Sequence, residues 1–335
     1  MANLDPKKAI KTKQKERAKA KRRAQNKKAG FFIGHRSLLQ GAWALLSNGQ
    51  LSNFIKGRIY TGPGKRLCLP GLNCYSCPGA LGSCPVGSFQ AVVGSSKFNF
   101  SYYITGLLIF LGVIFGRLIC GFFCPFGWFQ DLVHKIPSKK ISTKNWRIPR
   151  YIKYVIMVFV VWLFGVFLVN KSGMAFPYFC KYICPQGILE GGVPLIIANP
   201  GIRSAIGKLF GWKSLILLVF TGLSIFIYRP FCKWICPLGA FYSLFNRLSF
   251  YQYKVDKNKC INCGVCARVC HMDVDITKDN AALECIRCGE CLKACPVSAI
   301  SSGMFKRDLM TISAEDQRRI KEDWEAIQSP NFQNK

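Results

Sequence analysis

Eighteen cysteines stand among 335 residues, and the spacing of eight of them points to one chemistry. Cys260, Cys263, Cys266 and Cys270 form a C-x2-C-x2-C-x3-C run, and Cys285, Cys288, Cys291 and Cys295 repeat it, with Pro296 following. Two-residue spacers wrap three thiolates around one face of a [4Fe-4S] cube. The fourth cysteine of each run cannot close on the same cube and ligates the other. The spacing therefore predicts one cluster on Cys260, Cys263, Cys266 and Cys295, and a second on Cys285, Cys288, Cys291 and Cys270. Zinc favours two C-x2-4-C pairs held apart by a longer spacer, which these triple runs do not offer.

The module resembles the bacterial two-cluster ferredoxins, with His271 where a proline is usual. A second group of cysteines follows a different rule. "CGFFCPFGWFQ" (120–130), "CKYICPQGILE" (180–190) and "CKWICPLGAFY" (232–242) each place two cysteines four apart before Pro-x-Gly, and "CPVGSFQ" (84–90) repeats the second half. Residues i and i+4 share a helix face. The proline turns the second cysteine out of helical dihedrals and suits the first turn of a new helix. The glycine lets backbone approach a bulky ligand. Such a unit ends one helix, bends around an object and opens another helix whose N–H groups face an anion, as a thiolate-ligated cluster is. We expect an inner cluster on Cys120, Cys124, Cys232 and Cys236. An outer cluster would take Cys180 and Cys184 with two of Cys68, Cys74, Cys77 and Cys84; Cys77 and Cys84 are the expected pair because each precedes a proline. A single cluster, an external disulfide or plain packing are the alternatives.

The elements that must position these residues are apolar. Half of the chain is hydrophobic, yet its formal charge is +31, a segmentation that suits a membrane protein with basic cytoplasmic loops. Phe98–Gly116, Tyr154–Asn170 and Ser214–Tyr228 are uncharged candidate spans. Ser37–Ile55 is a weaker one, diluted by Gln40, Ser47, Asn48, Gln50, Ser52 and Asn53. Each half of the membrane part runs span, cysteines, span, cysteines. The expected fold is thus an α-helical membrane protein of about four spans in two parallel hairpin repeats, plus a small α+β ferredoxin-like domain. Residues 1–36 form a basic arm with twelve Lys or Arg in its first 28 positions. Residues 37–250 form the membrane domain, 251–303 the ferredoxin domain and 304–335 a charged tail with a capping box at Ser313 and Asp316. The basic arm and the 117–153 loop place both termini and the ferredoxin domain in the cytoplasm, with lipid as partner and no nucleic acid. The uncharged stretch 67–96, rich in Gly and Pro, reads as a folded loop sunk toward the bilayer, and 191–202 as a short re-entrant element.

The C-x3-C-P pairs, "PGLNCYSCPGALGSCPVGSFQ" and the double cysteine run resemble the membrane-bound polyferredoxins of the NapH, NosR and FixG type over roughly residues 37–300. The chain shows neither the flavin-attachment stretch of the NosR type nor the C-terminal β-domain of the FixG type, so the NapH pattern fits best. The resemblance implies electron transfer between a cytoplasmic donor, such as a ferredoxin or flavodoxin, or quinol, and a membrane or extracytoplasmic acceptor. A quinol dehydrogenase or metal-ion reductase in its own right, and a redox-sensing or assembly protein, are the competing readings. No Asp, Glu, Lys, Arg or His lies in the four expected spans, which argues against a proton pump. His35, His134 and His271 lie outside them, so a bis-histidine haem is not expected; His134 reads as an interfacial surface residue. No P-loop, dinucleotide fingerprint or nucleophile triad stands out.

Overall fold

The computed structural model describes residues 31–94, 101–146, 148–168, 176–204 and 206–303. Residues 1–30 of the basic arm, the tail from 304 and the ends of two expected spans (98–100 and 169–170) lie outside the described residues.

Ser37–Ile55 does not form one helix. α1 (Arg36–Ser47) stops at Asn48, whose Nδ2 donates back to the Ala44 carbonyl, and a turn leads to the one-turn helix Ser52–Lys56. Twelve residues rise about 18 Å, short of the roughly 30 Å of a bilayer core. The polar run Ser47–Gln50 supplies the break, because Asn and Gly favour turns over helix continuation.

Seven further helices carry the membrane part. They are α2 (Pro85–Gly94), α3 (Tyr102–Phe115), α4 (Pro125–His134), α5 (Ile148–Phe167), α6 (Gly187–Ala198), α7 (Lys208–Phe226) and α8 (Pro237–Leu244). Two of them, α5 and α7, are long and apolar enough to cross a membrane, each with a mean hydropathy of 1.8. α3 and α6 are apolar but shorter. Phe159, Trp162 and Phe167 on α5 and Leu215, Leu218 and Val219 on α7 are exposed. The core helix of a soluble protein would bury them. α4 packs against both α1 and α7, α2 against α3 and α5, and α8 against α5.

The C-terminal module closes with β1 (Gln252–Val255) antiparallel to β2 (Ile300–Gly303), pairing Gln252 with Gly303 and Val255 with Ile300. Its two halves share a backbone pattern. Asn262 and Gly264 in the first half, and Arg287 and Gly289 in the second, take left-handed dihedrals on either side of Cys263 and Cys288. Asp273 and Ser298, each three residues beyond the last cysteine of its run, do the same. Non-glycine residues hold this conformation only where surroundings impose it. Here the reversals aim peptide N–H groups at sulfur: Val274 N donates to Cys270 Sγ at 3.4 Å and Ala299 N to Cys295 Sγ at 3.3 Å.

The module is seated on the C-terminal end of α3, the N-terminal part of α5 and the segments that follow α7 and α8. Arg287 donates to the Phe115 carbonyl at 2.6 Å and to Ser249 Oγ at 2.6 Å, while Asn246 Nδ2 donates to the carbonyls of Ala282 and Cys285, both at 2.9 Å. At Gly121 the backbones almost touch, and a methyl there would stand 2.5 Å from the Ile286 carbonyl oxygen. Gly121→Ala should therefore loosen the seat by about 1–3 kcal/mol, the range for overpacking. Limited proteolysis in the 245–252 connection should become faster while the ferredoxin module keeps its absorbance.

Candidate iron–sulfur sites

Each of the four Cys-Pro-x-Gly units opens a helix. Cys124 caps α4, accepting the Gly127 N–H at 3.4 Å with Pro125 in the first turn, and Cys236 caps α8 in the same way through Gly239 and Pro237. Cys84 and Cys184 precede α2 and α6. The first cysteine of each C-x3-C pair lies in a one-turn helix: Leu118–Phe122, Tyr178–Tyr182 or Pro230–Trp234. No two of the eighteen cysteines are joined as a disulfide in the structure.

Four cysteines meet between α4 and α8. Burial, then repulsion from Cys232 and Cys120, pushes the Cys124 thiol up. Burial, then Cys232, Cys120 and Cys124, pushes Cys236 well up. Two buried guanidinium groups flank the set. Arg229 reaches the Cys120 carbonyl at 2.6 Å, and Arg117 approaches the Cys232 carbonyl at 3.5 Å. Each arginine stands three residues before one cysteine of the set and reaches the other's carbonyl across the site. Both are 0% exposed, so each is anchored by a carboxylate. Arg229 grips Asp131 through two bonds, at 2.7 and 2.5 Å, and Arg36 joins at 2.5 Å. Arg117 and Lys153 share Glu284, at 2.8 and 2.5 Å. Burial acts to raise these carboxyl groups, and the cations overcome it. Arg229 and Arg36 hold Asp131, and Arg117 and Lys153 hold Glu284, down at about 2.

Around Cys84, Cys180 and Cys184 the structure brings Cys74 rather than the expected Cys77. Burial, then Cys84 and Cys74, pushes Cys180 up to about 12, and Cys184 responds to burial, Cys180, Cys84 and Cys74. A methyl on Gly187 would lie 3.7 Å from Cys74 Sγ, and one on Gly87 would lie 3.7 Å from Cys180 Sγ. The Cys77 thiol turns away to donate to Asn48 Oδ1 at 3.3 Å. The reason is legible in hindsight. Cys77-Pro78 runs into Gly79-Ala80, so the glycine comes one position early and a turn replaces the helix. Cys68 is buried behind Cys84, its Sγ directed to the Leu69 carbonyl at 3.8 Å. Glu190 Oε2 accepts from Cys74 N at 2.8 Å, and burial pushes its carboxyl up to about 7.

In the C-terminal module Cys260, Cys263, Cys266 and Cys295 line one cavity. Cys285, Cys288, Cys291 and Cys270 lie within electrostatic reach of one another. Among the described residues, no three His, Cys, Asp or Glu side chains stand close enough together to hold a single metal ion. Four buried thiols with N–H donors on sulfur and buried guanidinium groups beside them fit a polynuclear cluster, which is bulky and anionic when thiolate-ligated.

Residues without a motif of their own complete the sites. Gln130 Nε2 donates to Cys232 Sγ at 3.1 Å and Gln90 Nε2 to Cys180 Sγ at 3.2 Å. The shared signal was the Phe-Gln pair closing both "CPVGSFQ" and "CPFGWFQ". His134 is more than a surface residue: its Nδ1 pairs with the Ser224 carbonyl at 2.9 Å, and its ring packs on Tyr228 and His271.

Comparison with known proteins agrees with this chemistry. A family described as "4Fe-4S binding domain" matches residues 100–144, 152–193 and 211–255, and a second family with the same description matches 282–301. Two uncharacterized proteins of Methanocaldococcus jannaschii are 32% and 31% identical over 51% and 60% of this chain and 66% and 70% of their own. The methylamine utilization ferredoxin-type protein MauN of Paracoccus denitrificans is 28% identical over 57% of each chain. The ferredoxin-type protein NapH of Haemophilus influenzae is 26% identical over 49% of this chain and 50% of its own. The chain thus spans from half to 70% of the length of these curated relatives. No solved structure matches.

Glu284→Gln would leave Arg117 and Lys153 as buried cations without a counter-charge. It should destabilise the seated module by about 3–5 kcal/mol, read as an earlier thermal bleaching of iron–sulfur absorbance. An unchanged bleaching midpoint would show that the pair contributes nothing.

Proposed function

We propose, from the premise that the chain belongs to the polyferredoxin-like family of 4Fe-4S proteins, that it is a membrane-embedded electron conduit holding four clusters in series. Binding of [4Fe-4S] clusters and a role in iron–sulfur electron transfer follow from the family. The number of clusters, their order and the partners are our reading. One observation carries it. Cys270, Cys285 and Cys288 of the C-terminal module pack into the same apolar core as Cys120, Cys124 and Cys236, and that core continues to Cys84, Cys180 and Cys184.

Bound clusters would each take up and release one electron at a time, and this chain's residues do the rest. Cys260, Cys263, Cys266 and Cys295 would hold the distal cluster, and Cys270, Cys285, Cys288 and Cys291 the proximal one. Cys120, Cys124, Cys232 and Cys236 would hold the inner cluster, and Cys74, Cys84, Cys180 and Cys184 the outer one. Arg117 links proximal to inner, binding the carboxylate next to Cys285 and lying against the carbonyl of Cys232. Leu72 and Asn73 link inner to outer, because their adjacent N–H groups face Cys124 and Cys84. Consecutive Cα atoms are 3.8 Å apart, so little protein separates these two sets. The N-terminal part of α5, the C-terminal end of α3 and the segment just after α7 all meet the ferredoxin module. This supports a bilayer in which that module lies on the cytoplasmic side.

Electrons would enter or leave at the distal set. Beside Cys260 lies a groove lined by Lys257, Asn262, Thr277, Lys278 and Asn280. It has two lysines and no carboxylate, while the nearby Asp275 and Asp279 cap their own turns. That suits an acidic electron-carrier protein of the ferredoxin or flavodoxin class.

Anaerobic iron and sulfide analysis with an EPR redox titration tests the cluster count. About sixteen iron atoms per chain are expected, and half of that would remove the membrane clusters. Cys74→Ser should lose one cluster and Cys77→Ser none; the reverse would restore Cys77 as the ligand.

Charge reversal at both Lys257 and Lys278 should weaken reduction by an acidic carrier roughly tenfold at low salt, with the difference closing as salt rises. Reduction by quinol in detergent, untouched by that variant, would instead favour a quinol partner. Its seat would be the apolar crevice bounded by Pro85, Phe89, Met157, Pro237 and Phe241.

A further inference from the structure

Two glutamines repeat one geometry in the two membrane sets. Gln130 is 1% exposed and Gln90 3% exposed. Each lies six residues after the cysteine that opens its own helix, Cys124 for α4 and Cys84 for α2. Neither touches that cysteine. Gln130 Nε2 donates to Cys232 Sγ at 3.1 Å, and its Oε1 accepts the Phe231 N–H at 3.3 Å. Gln90 Nε2 donates to Cys180 Sγ at 3.2 Å, and its Oε1 accepts the Phe179 N–H at 3.0 Å. The second amide hydrogen goes to the carbonyl four residues back in both cases, Phe126 at 3.5 Å and Val86 at 3.3 Å.

This arrangement fixes which end of each amide meets sulfur. A flipped amide would turn its NH2 toward a peptide N–H and its oxygen toward a thiolate, two repulsive contacts in place of two bonds. The peptide N–H that locks the amide belongs to the residue just before the cysteine it serves. Each glutamine therefore grips a two-residue unit, Phe231-Cys232 or Phe179-Cys180, from the opposite half of the site. Both phenylalanines are 0% exposed, so no water competes for these N–H groups.

We propose that Gln130 and Gln90 are paired positioning residues that set the potentials of the inner and outer clusters, each by an N–H···S bond to the cysteine contributed by the other half. A donor to a ligating sulfur withdraws electron density and stabilises the reduced, more negative cluster, which raises the reduction potential. The same amide holds the ligand in place before a cluster forms. This inference rests on the four-cluster reading above and would fail with it.

The test is an EPR redox titration of the intact protein carrying Gln130→Met or Gln90→Met. Methionine keeps the length and apolar volume but cannot donate. Each variant should lower the midpoint potential of one cluster, a different one in each, with the distal and proximal clusters unmoved. Wild-type protein with only two clusters would sink the four-cluster reading itself. Four clusters with unmoved potentials, or the same cluster shifted in both variants, would overturn this inference alone. Should a methionine variant lose its cluster, Gln130→Glu and Gln90→Glu keep the oxygen that accepts the Phe N–H. Their carboxyl can donate to sulfur only when protonated, so the potential of the affected cluster should become pH-dependent and fall as pH rises. A potential equal to that of wild type at every pH would overturn the inference.

Discussion

Arg117 and Arg229 are fully buried cations, and a cation in an apolar interior persists only where opposite charge surrounds it. Asp131 and Glu284 supply half of what is needed. They anchor each guanidinium while Arg229 Nη1 donates to the Cys120 carbonyl and Arg117 Nη2 approaches the Cys232 carbonyl; Arg117 Nε is buried without a partner. The other half is expected from the site itself, since four thiolates around an iron–sulfur core carry net negative charge. The rest of the architecture follows from keeping this balance. Glycine at position 127 lets Arg229 come close, since a methyl there would fall 3.0 Å from its Nη1. The carboxylate that anchors Arg117 comes from the C-terminal module, so docking of that module and charge compensation at the inner set are one event.

How much of this was legible depended on the range of the interaction. The ferredoxin-type cysteines are spaced within eleven residues of one another in each run, and short-range spacing encodes their geometry. The Cys-Pro-x-Gly units were readable for the same reason: cap, first-turn proline and close-approach glycine all lie within four residues. The prolines alone favoured Cys77, while the structure turns its thiol to Asn48 and brings Cys74 to Cys180 and Cys184. Gln130 and Gln90 went unassigned because their partners lie 102 and 90 residues away. Arg117 and Arg229 were hidden similarly, their positions before Cys120 and Cys232 meaningful only once the two halves are superposed. Ser37–Ile55 lacked formal charge yet broke, because turn-forming residues at its centre outweighed the absence of charge.

The apolar helices divide into those that face outward and those that carry ligands. α5 and α7 present large aromatic and aliphatic side chains to their surroundings. The helices opened by cysteines, α2, α4 and α8, turn buried glycine, proline and glutamine toward the sites. The family match falls on three successive units, each an apolar helix followed by a C-x3-C-P pair. The stretch ending at Cys84 lacks the C-x3-C spacing, and there an irregular loop brings Cys74 near Cys84. That loop's backbone is covered: Asn73 is 1% exposed and Leu72 2%, as irregular backbone at membrane depth requires.

That loop also explains why the two membrane sets lie close together. Gly71 passes so near the Phe123 carbonyl that a side chain could not be accommodated, and Tyr242 donates to the Pro70 carbonyl at 3.0 Å, holding the segment against α8. Pinned there, the next two residues present consecutive N–H groups to Cys124 and Cys84, one to each set. A strand of two residues shared between two ligand sets cannot relax toward one without leaving the other. The loop thus ties the two cysteine sets together through its own covalent geometry, a constraint stiffer than side-chain packing.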